Sequence, residues 1–151
     1  MKDRFISASG IACASMLTVI VALCTTSAAA QEYIVLTKGG GVTGNTTVFR
    51  ISPSGEVAKG SGAIDPAYSE FAKLRKSRAK RYFRKTHALI KNETFNHPGN
   101  MYTAIALVNG EKEGKIVWGD ASHETPVKAT KLYKKIQASL NRLTFSKDLR
   151  K

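Results

Sequence analysis

The pattern of apolar and polar positions predicts a β-hairpin between His97 and Asp120. Met101 to Val108 is apolar and partly β-branched and aromatic, and Lys115 to Trp118 is a second, shorter run of this kind. The residues between them, 109–114, are polar and carry a glycine near each end, which is typical of a turn. Both faces of the first strand are apolar. We therefore expect a central strand that helices cover on at least one face.

An earlier hairpin is predicted over residues 33–51. Tyr33 to Thr37 is strongly β-prone, and Thr46 to Ile51 alternates between two faces. The connecting loop, residues 39–44, has four glycines in six positions, which permit positive φ and close backbone approach. A phosphate-binding loop would be followed by a helix and would contain a Lys-Ser or Lys-Thr pair. A strand follows here, so a structural turn is favoured.

Two helices complete the predicted order. Asp65-Pro66 is typical of a helix start, and the predicted helix runs from Pro66 to about Lys85. Residues 56–63 hold at most one short edge strand. The last helix is capped by Thr125 and runs to about Leu143. Its apolar positions follow helical spacing: Ala129, Leu132, Tyr133, Ile136, Leu140 and Leu143.

The fold class that follows is α+β, a small two-layer domain in the order ββαββα. A four-stranded, mostly antiparallel sheet would carry both helices on one face. We expect one domain over residues 31–151, with a basic C-terminal tail, residues 145–151, that is frayed.

The first 30 residues have the pattern of a cleaved signal peptide. Lys2 and Arg4 precede the uncharged apolar run Ile11 to Leu23, and the small residues 28–30 form a cleavage site before Gln31. The run is shorter than the ~20 residues of a spanning helix. We therefore predict a periplasmic or extracellular protein without a transmembrane span in the mature chain. Lipid attachment at Cys24 is a weaker alternative, because Leu23 suits lipoprotein processing poorly.

Removing this segment changes both the cysteine content and the charge. Its two cysteines, Cys13 and Cys24, are the only ones in the sequence, so residues 31–151 have no disulfide and no thiol nucleophile. The formal charge of residues 31–151 is +12, from 22 basic and 10 acidic residues. Such a charge favours acidic partners, and a merely solvated surface is the alternative.

The charge is concentrated on the predicted helix 66–85. Its apolar stripe is thin, and Glu70 is its only acidic residue. Long side chains that lie over the sheet edge with solvated heads are one interpretation, and a surface that binds anions is the other. We favour the second. Its candidate anion-binding residues are Lys73, Arg75, Lys76, Arg78, Lys80, Arg81, Arg84 and Lys85.

Candidate catalytic and metal-binding patterns are weak. The residues that could act as metal ligands are His87, His97, His123, Asp120, Glu124 and Glu93. Their spacing matches no HxxxH or HExxH pattern. General acid–base cleavage of RNA could use His97, His123 and Lys115, although nothing in their spacing requires it. No GxSxG motif is present. We expect no catalytic residue, no metal and no cofactor.

Two short motifs carry a family resemblance. A strand leads into Gly40-Gly41-Val42-Thr43-Gly44, and a later strand ends in Trp118-Gly119-Asp120 before the last amphipathic helix. Across roughly residues 33–143 this arrangement resembles the emfourin-like small inhibitors of thermolysin-like metallopeptidases. The basic middle helix and the sequence HPGN at 97–100 depart from that pattern.

The resemblance implies an α+β fold without catalytic residues and a protein partner such as a metallopeptidase. It points to the loops 39–44 and 119–125 as contacts, with Gly40, Gly41, Val42, Thr43, Gly44, Trp118 and Asp120 as candidate residues. The predicted function is therefore a non-enzymatic exported binding protein, in particular a peptidase inhibitor. The alternative is a basic module that binds an anionic polymer or a membrane surface through the helix 66–85. A small secreted nuclease remains an outsider.

Overall fold

The computed structural model describes residues 31–42, 44–62 and 67–147. Within these ranges the chain forms seven strands and two helices. In chain order they are β1 (Glu32–Gly40), β2 (Thr46–Ile51), β3 (Glu56–Gly62), β4 (Ala67–Lys73), α1 (Lys76–Asn92), β5 (Phe95–His97), β6 (Met101–Asn109), β7 (Lys112–Trp118) and α2 (Val127–Leu140).

All of these strands belong to one mixed sheet in the order β4-β3-β2-β1-β6-β7-β5. Neighbouring strands are antiparallel except β5 and β7, which are parallel. β1 lies at the centre and pairs with β2 on one side and β6 on the other. The two predicted hairpins, β1–β2 and β6–β7, are both present.

The predicted four-stranded ββαββα sheet is wrong, because the sheet has seven strands and the element order differs. For the segment of β3 the sequence predicts at most a short edge strand, because Gly60, Ser61 and Gly62 are weak strand formers. Pairing with β2 and β4 outweighs that local preference. A bulge follows Lys59, and a Cβ at Gly60 would lie 2.8 Å from the Ala67 carbonyl oxygen, so a glycine suits this close approach.

The start predicted for the first helix is also wrong. Asp65 and Pro66 lie outside the described residues, and the chain after them forms strand β4, in which Phe71 pairs with Ala58. α1 begins only at Lys76 and continues to Asn92, past the predicted end. The Asp-Pro signal covers two residues, whereas β4 is stabilised along its length by pairing with the preceding strand, β3. Lys73 therefore lies on a strand and not on the helix.

Both helices pack on the same face of the sheet and share one hydrophobic core. Ile34 and Leu36 of β1 lie at its centre and have no exposed surface. On α2, Tyr133 packs edge-on against Trp118 of β7 with ring centroids 5.7 Å apart. The helix residues buried in this core are Ala79, Tyr82, Phe83, Leu89, Ala129, Leu132, Tyr133, Ile136 and Leu140.

The chain after α2 returns to the far edge of the sheet. Phe145 packs against Phe49 with ring centroids 6.0 Å apart, and Ser146 exchanges two backbone hydrogen bonds with Phe71, of 2.8 and 2.9 Å. The segment predicted as a frayed tail thus starts with two residues that contact the sheet. Its last four residues, 148–151, lie outside the described residues.

Neither helix covers the opposite face of the sheet. On this face Arg50 lies between Tyr33 and Tyr68, with its guanidinium carbon 4.7 and 4.6 Å from the two ring centroids.

In the described part of the chain, neither α1 nor α2 has the length and apolarity needed to cross a membrane. The predicted signal peptide, residues 1–30, lies outside the described residues and stays a prediction.

The glycine-rich loop yields a stability prediction. At Gly40 φ is +112°, and an added Cβ would lie 2.1 Å from the Asn100 carbonyl oxygen. At Gly41 φ is +78°, but the nearest atom would be the flexible Met101 sulfur at 3.3 Å. We expect Gly41→Ala to cost about 1–3 kcal/mol of unfolding free energy from backbone strain alone. Gly40→Ala should cost clearly more. Equal losses in chemical denaturation would contradict this assignment.

Candidate binding surfaces

The two helices lie side by side and run in opposite directions. Near the start of α1 the Tyr82 hydroxyl is 2.6 Å from the Ser139 hydroxyl, near the end of α2. Just after α1 the Glu93 carboxylate is 3.2 Å from the Lys128 ammonium group, at the start of α2. These two contacts show that α1 and α2 are antiparallel neighbours. Their outer surfaces therefore form one continuous face.

That face is basic and carries no carboxylate within either helix. α1 contributes seven lysines and arginines and α2 contributes four, and neither helix contains Asp or Glu. All eleven are exposed except Arg78, which is half-buried. With the flanking Arg75 and Arg142, we call this surface the basic face: Arg75, Lys76, Arg78, Lys80, Arg81, Arg84, Lys85, Lys91, Lys128, Lys131, Lys134, Lys135 and Arg142.

Most of the predicted anion-binding residues lie on the basic face. Arg75 precedes α1, and six others lie within it: Lys76, Arg78, Lys80, Arg81, Arg84 and Lys85. Lys73 is an exposed residue at the end of β4 and does not belong to the face. The lysines of α2 were not among the candidates. Their lack of acidic neighbours is visible in the sequence, but their position beside α1 follows only from the packing of the helices.

The cations at the start of α1 do not stabilise the helix. Positive charge near a helix N-terminus opposes the macrodipole and costs roughly 0.3–1 kcal/mol per charge. The N-cap residue, Arg75, makes no capping hydrogen bond through its side chain, and the first turn contains no acidic residue. Helix stability therefore does not account for Arg75 and Lys76 at these positions.

The basic face is also poorly neutralised by the rest of the protein. Within the described ranges, Lys128 is the only one of its cations that forms an ion pair, and its partner is Glu93. The other lysine ion pairs, Lys59 with Glu70 and Lys115 with Glu113, lie on the sheet. The remaining cations of the face are thus available to an external anion.

A second candidate surface lies at one end of the sheet, where three loops meet. The Gly41 amide donates a 2.7 Å hydrogen bond to the Asn100 carbonyl, and the Asp120 amide donates a 3.1 Å bond to the His97 carbonyl. We call this surface the loop rim, comprising residues 40–42, 44–45, 97–101 and 119–123. It brings together the two loops that the sequence indicated as contacts. Thr43, one of the candidate residues, lies outside the described residues.

The loop rim presents apolar side chains to solvent. Val42 is fully exposed and Met101 is more than half exposed, and they are two of the three large hydrophobic residues exposed in the described chain. Trp118, another candidate contact, is instead buried against Tyr133 in the core. Asp120, two residues further along the chain, is partly exposed.

Two histidines stack in the loop rim. The rings of His97 and His123 are nearly parallel, with centroids 3.7 Å apart, and the rings of Phe95 and His97 form a T-shaped pair with centroids 4.7 Å apart. His123 Nδ1 lies 3.0 Å from Asp120 Oδ2. Lys115, the third group of the nuclease hypothesis, is an odd number of residues from Trp118 on β7. Since His97 pairs with Trp118 and shares its side of the sheet, Lys115 faces the opposite side from His97.

The candidate metal ligands do not form a single group: His97, His123 and Asp120 lie in the loop rim, whereas His87 and Glu93 lie elsewhere. His87 pairs with Glu32 at 2.7 Å on the helix side of the sheet, and Glu93 pairs with Lys128. Among the residues the structure describes, no group of three or more potential ligands is placed to hold a metal ion.

Comparison with known proteins adds no assignment: no family model matches the chain, and no curated protein matches its sequence. The resemblance to emfourin-like inhibitors therefore stays a prediction.

Asp120 yields a pH prediction. The Ser122 amide donates a hydrogen bond to Asp120 Oδ1, and this bond, with the one from His123, holds the pKa of Asp120 below its ordinary value of 3.8. A lowered pKa means that the carboxylate stabilises the turn above pH 3.8 and that this contribution is lost as pH falls through the folded value. We expect the Ser122 amide NMR signal to shift with this acid titration. Asp120→Asn, which retains the acceptor, should abolish the shift, and a persistent shift would refute the assignment.

Proposed function

We propose that this protein is a non-enzymatic exported binding protein whose basic face binds an anionic polymer or an anionic membrane surface. One observation carries the proposal: two adjacent antiparallel helices carry eleven lysines and arginines and no carboxylate. The unfavourable charges at the start of α1 add support, because they weaken the helix that bears them.

The interaction that follows is electrostatic and multivalent. Near an anionic membrane each lysine or arginine contributes about 1 kcal/mol, so several acting together give useful affinity although each contact is weak. On a linear polyanion the same cations release counterions, and affinity falls steeply with salt concentration. At physiological ionic strength, salt screens the interaction between exposed charges that are more than about 8 Å apart. An anion is therefore attracted mainly by the cations nearest to it, which on the basic face can come from both helices.

Reversing charge at the start of α1 separates binding from folding. In the variant with Arg75→Glu and Lys76→Glu, retention on immobilised heparin should shift to clearly lower salt. The melting temperature should stay the same or rise, because negative charge near a helix N-terminus stabilises the helix by roughly 0.3–1 kcal/mol per residue.

The matched control changes the same net charge elsewhere. Lys112→Glu with Lys115→Glu alters two exposed lysines of β7, outside the basic face. This variant should elute from heparin close to the wild-type protein. Equal loss in the two variants would show that net charge alone governs retention, and unchanged retention of the α1 variant would contradict the proposal.

Inhibition of a thermolysin-like metallopeptidase is the second candidate function, and the loop rim favours it. The two loops implied by the family resemblance lie at one end of the sheet, and each is hydrogen-bonded to the segment 97–101, through Gly41–Asn100 and Asp120–His97. Val42 projects from the glycine-rich loop with its side chain fully exposed. An exposed apolar side chain on a loop held at both ends is suited to insertion into a protein cleft.

Val42→Asp tests this candidate. If the loop rim inhibits a thermolysin-like metallopeptidase, the variant should inhibit much more weakly at an unchanged melting temperature, because Val42 makes no buried contact. Asn109→Asp adds the same charge at the opposite end of β6 and should inhibit like the wild-type protein. Inhibition should also persist at physiological salt. Wild-type protein that does not inhibit, or variants that inhibit equally, would dismiss the loop rim as an inhibitory surface.

A further inference from the structure

A groove runs between α1 and α2 and opens onto the basic face. Its volume is about 520 Å³, within the roughly 300–1,000 Å³ range of small-molecule sites. The floor is apolar and consists of Leu89 from α1 and Leu132 from α2, together with the small side chain of Ala88. Because Ala88 is exposed and has only one methyl group, the space above the two leucines remains open.

The charges along the groove are unevenly distributed. Lys128 and Glu93 neutralise each other at one end, 3.2 Å apart, beside Asn92. Lys85 and Lys135 line the groove about two helical turns away on their respective helices, and antiparallel packing brings them to the same end. The groove thus has one cationic end, an apolar middle and one end closed by an ion pair.

We propose that this groove binds a single-chain anionic amphiphile, a fatty acid in its monomeric carboxylate form. The carboxylate is held by Lys85 and Lys135, and the hydrocarbon chain lies over Ala88, Leu89 and Leu132. Lys131, on the rim, covers part of the chain with its own methylene stem. This inference goes beyond the proposed function: the groove shares Lys85 and Lys135 with the basic face but binds a ligand of its own.

The apolar floor distinguishes this ligand from other anions. A polysaccharide or a nucleic-acid backbone offers charge but no hydrocarbon to cover Leu89 and Leu132. A bilayer presents its headgroups first and keeps its chains behind them, out of reach of a groove between helices. A dissolved fatty acid supplies both parts at once, and covering the two leucines with its chain is favourable because apolar surface is removed from water.

The test uses dodecanoate below its micelle concentration and isothermal titration calorimetry. Wild-type protein should bind it, and Ala88→Phe should weaken binding about tenfold or more, because the ring fills the space of several methylenes. Ser77→Phe is the matched control, since Ser77 is exposed on the same helix but does not line the groove. Its affinity for dodecanoate should equal that of the wild-type protein, and the melting temperatures should be similar.

A second pair of variants tests the cationic end. Lys85→Gln with Lys135→Gln should weaken binding of dodecanoate but not of the neutral amphiphile dodecanol. Absence of wild-type binding, or dodecanoate binding that Ala88→Phe leaves unchanged, overturns the inference.

Retention on heparin keeps the two proposals apart. Ala88→Phe retains every cation, so it should elute from heparin like the wild-type protein. If the wild-type protein does not bind dodecanoate but is retained on heparin normally, only the fatty-acid site is refuted. Dodecanoate binding without heparin retention would refute the proposed function while leaving the groove as a site of its own.

Discussion

The pairing of β1 with strands on both sides is the constraint on which the rest of the structure depends. β1 pairs with β6 over all nine of its residues, from Glu32 with Asn109 to Gly40 with Met101. Ile34 and Leu36 point into the core with no exposed surface. A shift of the register by one residue would turn both side chains to the other face, so burial fixes the register strongly. The helices and loops take their positions from this central strand.

The same register creates the two candidate surfaces. At the end of β1, Gly40 lies opposite Met101, which brings the glycine-rich loop against Asn100 and establishes the loop rim. On the covered face, the core takes the apolar side of each helix, so the cations of both helices must face outward. The Tyr82–Ser139 contact then aligns the helices so that these cations form one surface with a groove between them.

Strong, local patterns allowed part of this fold to be predicted. Both hairpins and the last helix follow from alternation and helical spacing, which hold over many residues. β3 and β4 were missed because Gly60, Ser61 and Gly62 are weak strand formers and because residues 66–73 were assigned to the helix, whereas the chain pairs successive strands, β2 with β3 and β3 with β4. The Asp65-Pro66 signal is short and local, and it led to a helix where the chain continues as a strand.

The candidate surfaces, too, could be predicted from the sequence only in part. The excess of cations around α1 could be read directly from the sequence, but the contribution of α2 depends on antiparallel packing. The stacking of His97 on His123 requires β5 to add to the sheet beside β7, a parallel pairing of only three residues that no sequence pattern indicated. Chemistry carried by one segment was therefore predictable, whereas chemistry shared between segments required the structure.

The most direct test of the basic face is a map of where a polyanion binds. Isotope-labelled protein would be titrated with a short heparin oligosaccharide while backbone amide NMR signals are followed. We predict that signals of α1 and α2 shift, that those of residues 40–42 and 97–101 do not, and that added salt reverses the shifts. Shifts confined to the loop rim, with both helices unchanged, would contradict the proposed function.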